Sequence, residues 1–284
     1  MTRIDAHHHF WNPARGDYGW LTPDLPICRR YGPHDLKPLL DQCGIDGTVL
    51  VQAAPTLEET EYLLGIADAT PFVRGVVGWI DFEDPGHGRH LERLAAHPKF
   101  VGVRPMIQDL PDDDWMLRDD VSWAFGAVRQ FDLVFDALVF PRHLPALARL
   151  LKRYPGLTVV IDHAAKPGIG AGRFDEWAAQ MKRLAAGTTA LCKLSGLTTE
   201  AGAGWTVEAL RPYVDHLFAT FGPERLIFGS DWPVSTLATT YRGWIDAVEQ
   251  LTSGLSSPQR AALFGGTAAR VYGLQPLSGQ NADV

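Results

Sequence analysis

The chain has no apolar stretch approaching the ~18 residues that span a bilayer, and no long apolar run behind the basic residue in its opening MTRIDAHHHFW. Neither a membrane helix nor a secretory leader is expected. Cysteine is scarce. Cys28, Cys43 and Cys192 are odd in number, widely spaced and form no CxxC pair, which fits a reduced, cytoplasmic protein. Basic stripes and arms are missing too. Lys and Arg total 26 against 33 Asp and Glu, interspersed, for a formal net charge of -7. That balance argues against a nucleic-acid partner and mildly against a polyanionic substrate. No glycine-rich GxGxxG turn follows the first strand-like run, which weakens any dinucleotide-binding reading.

What is present is regular alternation. Hydrophobic residues make up 46% of the 284, and charged residues 21%, an ordinary globular composition. Eight β-branched or apolar runs read as strands: Arg3–His9, Gly47–Ala53, Val73–Asp81, Phe100–Met106, Leu133–Val139, Leu157–His163, Leu191–Ser195 and Leu226–Asp231. Runs such as TVLVQA and LTVVID are nearly continuous, as in a parallel sheet covered on both faces. Amphipathic stretches of helical length lie between them, from His34–Gln42 to Arg242–Leu251, with a last one at Pro258–Val271. In LPALARLLKRYPG the apolar positions repeat at helical spacing until Pro-Gly ends the run. The repeat predicts an α/β fold, a single-domain, distorted (β/α)8 TIM barrel over residues 1–274, with a doubly wound open sheet as the alternative. The polar tail, residues 275–284, is expected to fray.

Catalysis in such barrels sits at the C-terminal ends of the strands. The polar residues fall there: His7-His8-His9, Gln52, Asp81, Arg104, Asp162-His163, Lys193, Ser195 and Asp231. On a strand, residues two apart share a face, so His7 and His9 point together and His8 points away. Two imidazoles on one face suit a metal or a substrate oxygen. Asp162, one residue from His163, is expected to point outward as a structural residue. Lys166 could neutralise a substrate oxygen or stand as a solvated loop lysine. Trp11, Trp20, Trp79, Trp115 and Trp232 follow strand ends, where aromatic faces either stack on sugars or simply pack.

The segments DAHHHFW, GTVLVQA, VGVRPMIQDLPDDDW, IDHAAKP, CKLSGLTTEA and FGSDWP together resemble the amidohydrolase superfamily, and within it the lactonase group of amidohydrolase family 2. The resemblance spans nearly the whole chain. It implies site roles for His7 and His9 on strand one, His163 on strand six and Asp231 on strand eight. With no lysine or glutamate placed to bridge two metals after strand four, it implies one divalent metal (zinc) or none. If a metal binds, His7, His9, His163 and Asp231 are its ligands. The group's activities include hydrolysis of L-fucono- and L-rhamnono-type aldonolactones, hydrolysis of aromatic anionic lactones, and lactone isomerisation. A metal-dependent decarboxylase uses a similar set. Only Arg104 among the arginines falls clearly at a strand end, which favours a neutral sugar lactone.

The expected reaction is attack of water on the lactone carbonyl, with Asp231 as general base. His163 and Arg104 would polarise the carbonyl, and Gln52, Trp11, Trp232 and Lys166 would bind substrate. The expected partner is a small-molecule lactone, without nucleic acid or membrane; a homo-oligomer is left open.

Overall fold

Eight short β-branched and aliphatic runs pair in sequence order as one parallel sheet: β1 (Ile4–His8), β2 (Gly47–Val51), β3 (Val73–Gly78), β4 (Phe100–Val103), β5 (Val134–Ala137), β6 (Val159–Ile161), β7 (Leu191–Leu194) and β8 (Leu226–Phe228). The structure is a computed structural model and describes residues 2–275. A parallel bridge between His8 and Trp232 joins the end of β8 back to β1. The result is a nearly closed (β/α)8 barrel, as the alternating runs predicted. The tail expected at 275–284 lies, apart from Gln275, outside the described residues. Among the described residues no helix is long and apolar enough to cross a membrane.

Helices wrap the outside: α1 (Pro33–Cys43), α2 (Leu57–Ala69), α3 (Gly88–Ala95), α4 (Ser122–Gln130), α5 (Leu144–Arg153), α6 (Asp175–Gly187), a short α7 (Leu197–Ala201), α8 (Val207–Phe221) and α9 (Tyr241–Leu251). Their sequences explain their faces. In α5, Leu144, Leu147, Leu150 and Leu151 are buried at helical spacing, while Lys152 and Arg153 occupy the last turn. Thr56 and Thr206 cap α2 and α8, each accepting a backbone N–H one turn in.

Two apolar cores result. The outer one lies between strands and helices. The inner one fills the barrel and is built from alternate strand residues, among them Ile4, Val49, Val77, Val134, Val160, Leu191 and Ile227. Ala268 and Tyr272, from the chain's closing helix Thr267–Val271 and just beyond it, join that core.

The strands stop earlier than their sequences suggest. β6 ends at Ile161, and His163, Ala164, Ala165 and Lys166 then take positive φ of 51°, 52°, 57° and 52°. β8 ends at Phe228, and Asp231 has φ 56°. Left-handed backbone costs a non-glycine residue about 1–2 kcal/mol. Such residues persist where the surroundings fix them, and here they gather where the polar residues converge.

Candidate active site

The rims of β1 and β8 are locked together by backbone. Asp231 N–H donates to His7 O at 2.7 Å, and His9 N–H to Trp232 O at 2.7 Å. Beneath them the buried Asp5 carboxylate accepts Ser230 N–H at 2.8 Å, His7 N–H at 3.2 Å and Tyr241 O–H at 3.0 Å. Burial pushes Asp5 up to about 6 against these hydrogen bonds. The strand register shifts between Asp5 and His8, so the inner-core residue Ala6 is followed by a residue that also faces inward, His7. Glycine permits the close packing. A Cβ on Gly229 would meet His7 Cβ at 2.7 Å, and one on Gly196, at φ +69°, would meet His163 Nδ1 at 2.7 Å.

Four side chains converge at the mouth. Asp231 Oδ1 lies 3.4 Å from His9 Nε2, 3.8 Å from His7 Nε2 and 3.9 Å from His163 Nε2. All four residues are buried. The far nitrogens are held from behind: His9 Nδ1 contacts Val51 O at 2.8 Å, and His163 Nδ1 contacts Ser195 Oγ at 2.9 Å. The carbonyl can only accept, so His9 carries a proton at Nδ1 and turns Nε2 toward the site. His8, as the alternation implies, points elsewhere and pairs with Thr48 Oγ1 at 2.8 Å.

Electrostatics follow from burial and neighbours. Burial pushes Asp231 up, but the imidazoles of His163, His9 and His7 outweigh it and hold the carboxylate well below its ordinary range. Burial lowers His163 to about 4, with Asp231 and Asp162 opposing, and it also holds His7 well below its ordinary value. At neutral pH an ionised Asp231 carboxylate lies beside the neutral imidazoles of His7 and His163.

Below the histidines is a charged layer that the strand pattern did not foresee. Lys193, on β7, is wholly buried and pairs with Asp136 of β5, while Asp162 Oδ1 lies 3.0 Å from its Nζ. Asp162 does not point outward. It faces into the barrel, with Oδ1 3.3 Å from His7 Nδ1 and Oδ2 3.4 Å from Arg104 Nη1. Strand alternation fails there because β6 has already ended at Ile161. Asp136 carried a signal that went unread, a lone acid inside the apolar run LVFDALVF.

The other expected residues divide. Arg104 and Lys166 line the cavity beside the cluster, with His9, His163 and Asp231. Gln52 does not reach that wall. It is buried behind Arg104, donating to Arg104 O at 2.9 Å and accepting from Arg104 Nη2 at 3.1 Å. Trp11 and Trp232 are also set behind the wall. Trp11 Nε1 donates to Arg29 O, and both rings pack edge-on against Tyr31. The tryptophan at the wall is Trp20, from the same loop as Trp11, and its Nε1 donates to Ala53 O at 2.7 Å.

The cavity holds about 200 Å³ and is also walled by Met106, Gln108, Asp109, Leu138 and Val234. Trp20, Met106 and Asp109 are shared with a wider cleft of about 610 Å³. Arg104 Nε and Gln108 Oε1 are buried with no protein partner, one donor and one acceptor left over among the cavity's residues.

The donor set suits a single divalent ion. Asp231 Oδ1 has one nitrogen of each of His7, His9 and His163 within 3.9 Å, and His7, His9 and Asp231 offer atoms within 4.8 Å of one another, as do His7, His163 and Asp162. Oxygen partners behind His9 and His163 hold the rings as metal-binding histidines are usually held.

The parallel barrel gathers an HxH pair at the end of β1, the histidine after β6 and the aspartate after β8 at one mouth. The chain belongs to the amidohydrolase family, whose model matches residues 4–274. It is 48% identical, over 98% of its own length and 97% of the relative's, to an L-fucono-1,5-lactonase of Burkholderia ambifaria. A second L-fucono-1,5-lactonase, from Burkholderia multivorans, is 38% identical over 96% of each chain. Among solved structures, a Burkholderia multivorans amidohydrolase with bound zinc matches at TM-score 0.91 and 36% identity, covering 97% of this chain and 100% of that one.

Proposed function

We propose that the chain hydrolyses an aldonolactone of the L-fucono-1,5-lactone type to the aldonic acid, at the cluster of His7, His9, His163 and Asp231. The observation that carries this reading beyond family membership is the cavity's chemistry. Its wall offers hydroxyl-matching groups, Gln108, Asp109, Lys166 and Arg104, beside Trp20, Met106, Leu138 and Val234. Two cations face two carboxylates there. A polyol lactone finds donors and acceptors on such a wall, whereas a lactone bearing several acid groups finds Asp109 and Asp231 opposing it.

The chain's own groups divide the work. Asp231 sits where it can orient a water and take its proton as the water oxygen bonds to the lactone carbonyl carbon. Arg104, gripped by Gln52, faces the carbonyl oxygen as negative charge develops, and Lys166 supports it from the opposite loop. One such donor contributes about 3–4 kcal/mol to the barrier. When the ring C–O bond breaks, the proton held by Asp231 passes to the leaving ring oxygen, so the carboxyl group and the hydroxyl form together. A carboxylate held below its usual range is a weak base, so the step depends on positioning and on an activated water. A divalent ion, for which zinc is the natural choice, would be held by His7, His9, His163 and Asp231 and would supply that acidification, from about 15.7 to about 7.

The test is a panel of aldonolactones followed by proton release. Saturable release from 6-deoxy sugar lactones, and little from aromatic di-acid lactones, is the expected pattern; the reverse preference would overturn the substrate class.

A further inference from the structure

His7 has more partners than a neutral imidazole can use. The neutral ring offers one N–H and one lone pair. Near Nδ1 stand a donor, Lys193 Nζ at 3.1 Å, and an acceptor, Asp162 Oδ1 at 3.3 Å. Near Nε2 stand a donor, Arg104 Nη1 at 3.4 Å, and an acceptor, Asp231 Oδ1 at 3.8 Å. Two arrangements are open, each leaving one ring N–H beside a donor. In one, Lys193 donates to Nδ1 and Nε2–H points toward Asp231. In the other, Nδ1–H donates to Asp162 and the Nε2 lone pair faces the site.

Geometry separates them. Only the Lys193 contact lies within the ordinary hydrogen-bond range of about 2.7–3.2 Å. Arg104 Nη1 has Asp162 Oδ2 as an equal alternative at 3.4 Å. Asp162 Oδ1 is buried without a well-aligned hydrogen bond, although Lys193 Nζ stands 3.0 Å and His7 Nδ1 3.3 Å away. An acceptor left over beside Nδ1 is what the first arrangement leaves and the second would use. Lys193 is fixed in place, because Asp136 pairs with it and is itself held by Tyr272 O–H at 2.7 Å, all wholly or nearly wholly buried.

We infer that Lys193 is a positioning residue that decides which nitrogen of His7 carries the proton. Without a cation in the site, His7 is the Nε2–H tautomer. Taking up a divalent cation through Nε2 requires the Nδ1–H tautomer, held by Asp162. The ring's proton count does not change: the proton on Nε2 leaves to water in the cavity, the one that Lys193 donates toward Nδ1 passes onto it, and Lys193 recovers a proton from solvent. Lys193 then turns to Asp136 and Asp162. Lys193 therefore opposes cation binding and Asp162 favours it. This rests on the proposed place of His7 among the cation ligands, not on the lactone chemistry.

The decisive experiment reads the parent protein and uses a variant only for assignment. In full-length protein labelled with 15N-histidine, multiple-bond N–H correlation reads each ring's tautomer, His7 being assigned by its absence from His7→Gln. The metal-stripped protein is expected to show His7 as Nε2–H, and one equivalent of zinc to convert it to Nδ1–H. Nδ1–H in the metal-stripped protein overturns the inference. Zinc competition against a chromophoric chelator gives an independent reading. The double variant Asp136→Asn with Lys193→Gln removes one buried charge of each sign and leaves Asp162 its contact with Arg104. It is expected to bind zinc about 10-fold tighter, and Asp162→Asn to bind it about 10–100-fold more weakly. A double variant binding no tighter, or Asp162→Asn binding no more weakly, contradicts the assigned roles. Turnover is read in neither experiment, so the lactone reading and this one fail separately.

Discussion

Replacing His8 by Gln separates the three consecutive histidines by what each does. His8 is buried against Thr48, and burial, with His9 adding to it, lowers its imidazole from 6.5 to about 3. In the unfolded chain it returns to 6.5. Between those values the unfolded state binds a proton that the folded state refuses, so stability is fully present above about 6.5 and is lost as pH falls toward 3. At pH 4.5 the unfolded group lies about two units past its midpoint, at about 1.36 kcal/mol per unit, so His8 alone costs about 3 kcal/mol there. Gln cannot titrate, and its amide can still meet Thr48. Urea unfolding of both proteins at pH 7.5 and 4.5 measures the effect. The loss of stability between the two pH values is expected to be about 3 kcal/mol smaller in His8→Gln, and turnover at pH 7.5 to stay within a few-fold of the parent. Equal acid sensitivity would refute the burial argument, and lost turnover in a folded variant would refute the strand alternation that sets His8 apart.

Other outcomes follow from the same geometry. Asp231→Asn keeps the backbone lock to His7 but removes the base, and kcat is expected to fall about 10²–10⁴-fold with an unchanged melting temperature within a few degrees. Gln52→Ala frees Arg104 from its side-chain partner; kcat/KM is expected to drop about 10–100-fold, measured by proton release, with much of the loss recovered in Gln52→Glu. If His7, His9, His163 and Asp231 hold an ion as proposed, prolonged chelation lowers turnover and the melting temperature together, and zinc restores both.

Much of this was legible in the sequence. The barrel followed from eight apolar runs alternating with amphipathic ones, and the shared face of His7 and His9 from period-two alternation. What escaped lies where alternation ends. Asp162 was assigned outward because β6 was read through to His163, but the chain leaves the strand at Ile161 and winds through four left-handed residues, a conformation no side-chain pattern announces. Lys193 and Asp136 form a pair only when β5 and β7 close across the barrel, so neither residue signals it alone. The tryptophans were the reverse case: their positions past strand ends were visible, but which ring reaches the cavity depends on how the Trp11–Pro33 loop folds. It turns Trp20 to the wall and Trp11 behind it.

The most direct test of the central claim is hydrolysis of L-fucono-1,5-lactone in 18O-water, with mass spectrometry of the product. One labelled oxygen in the aldonic carboxylate, appearing far faster than in the uncatalysed reaction and about 10²–10⁴-fold more slowly with Asp231→Asn, is the expected result. An unlabelled isomeric lactone, or no acceleration over water alone, would contradict it.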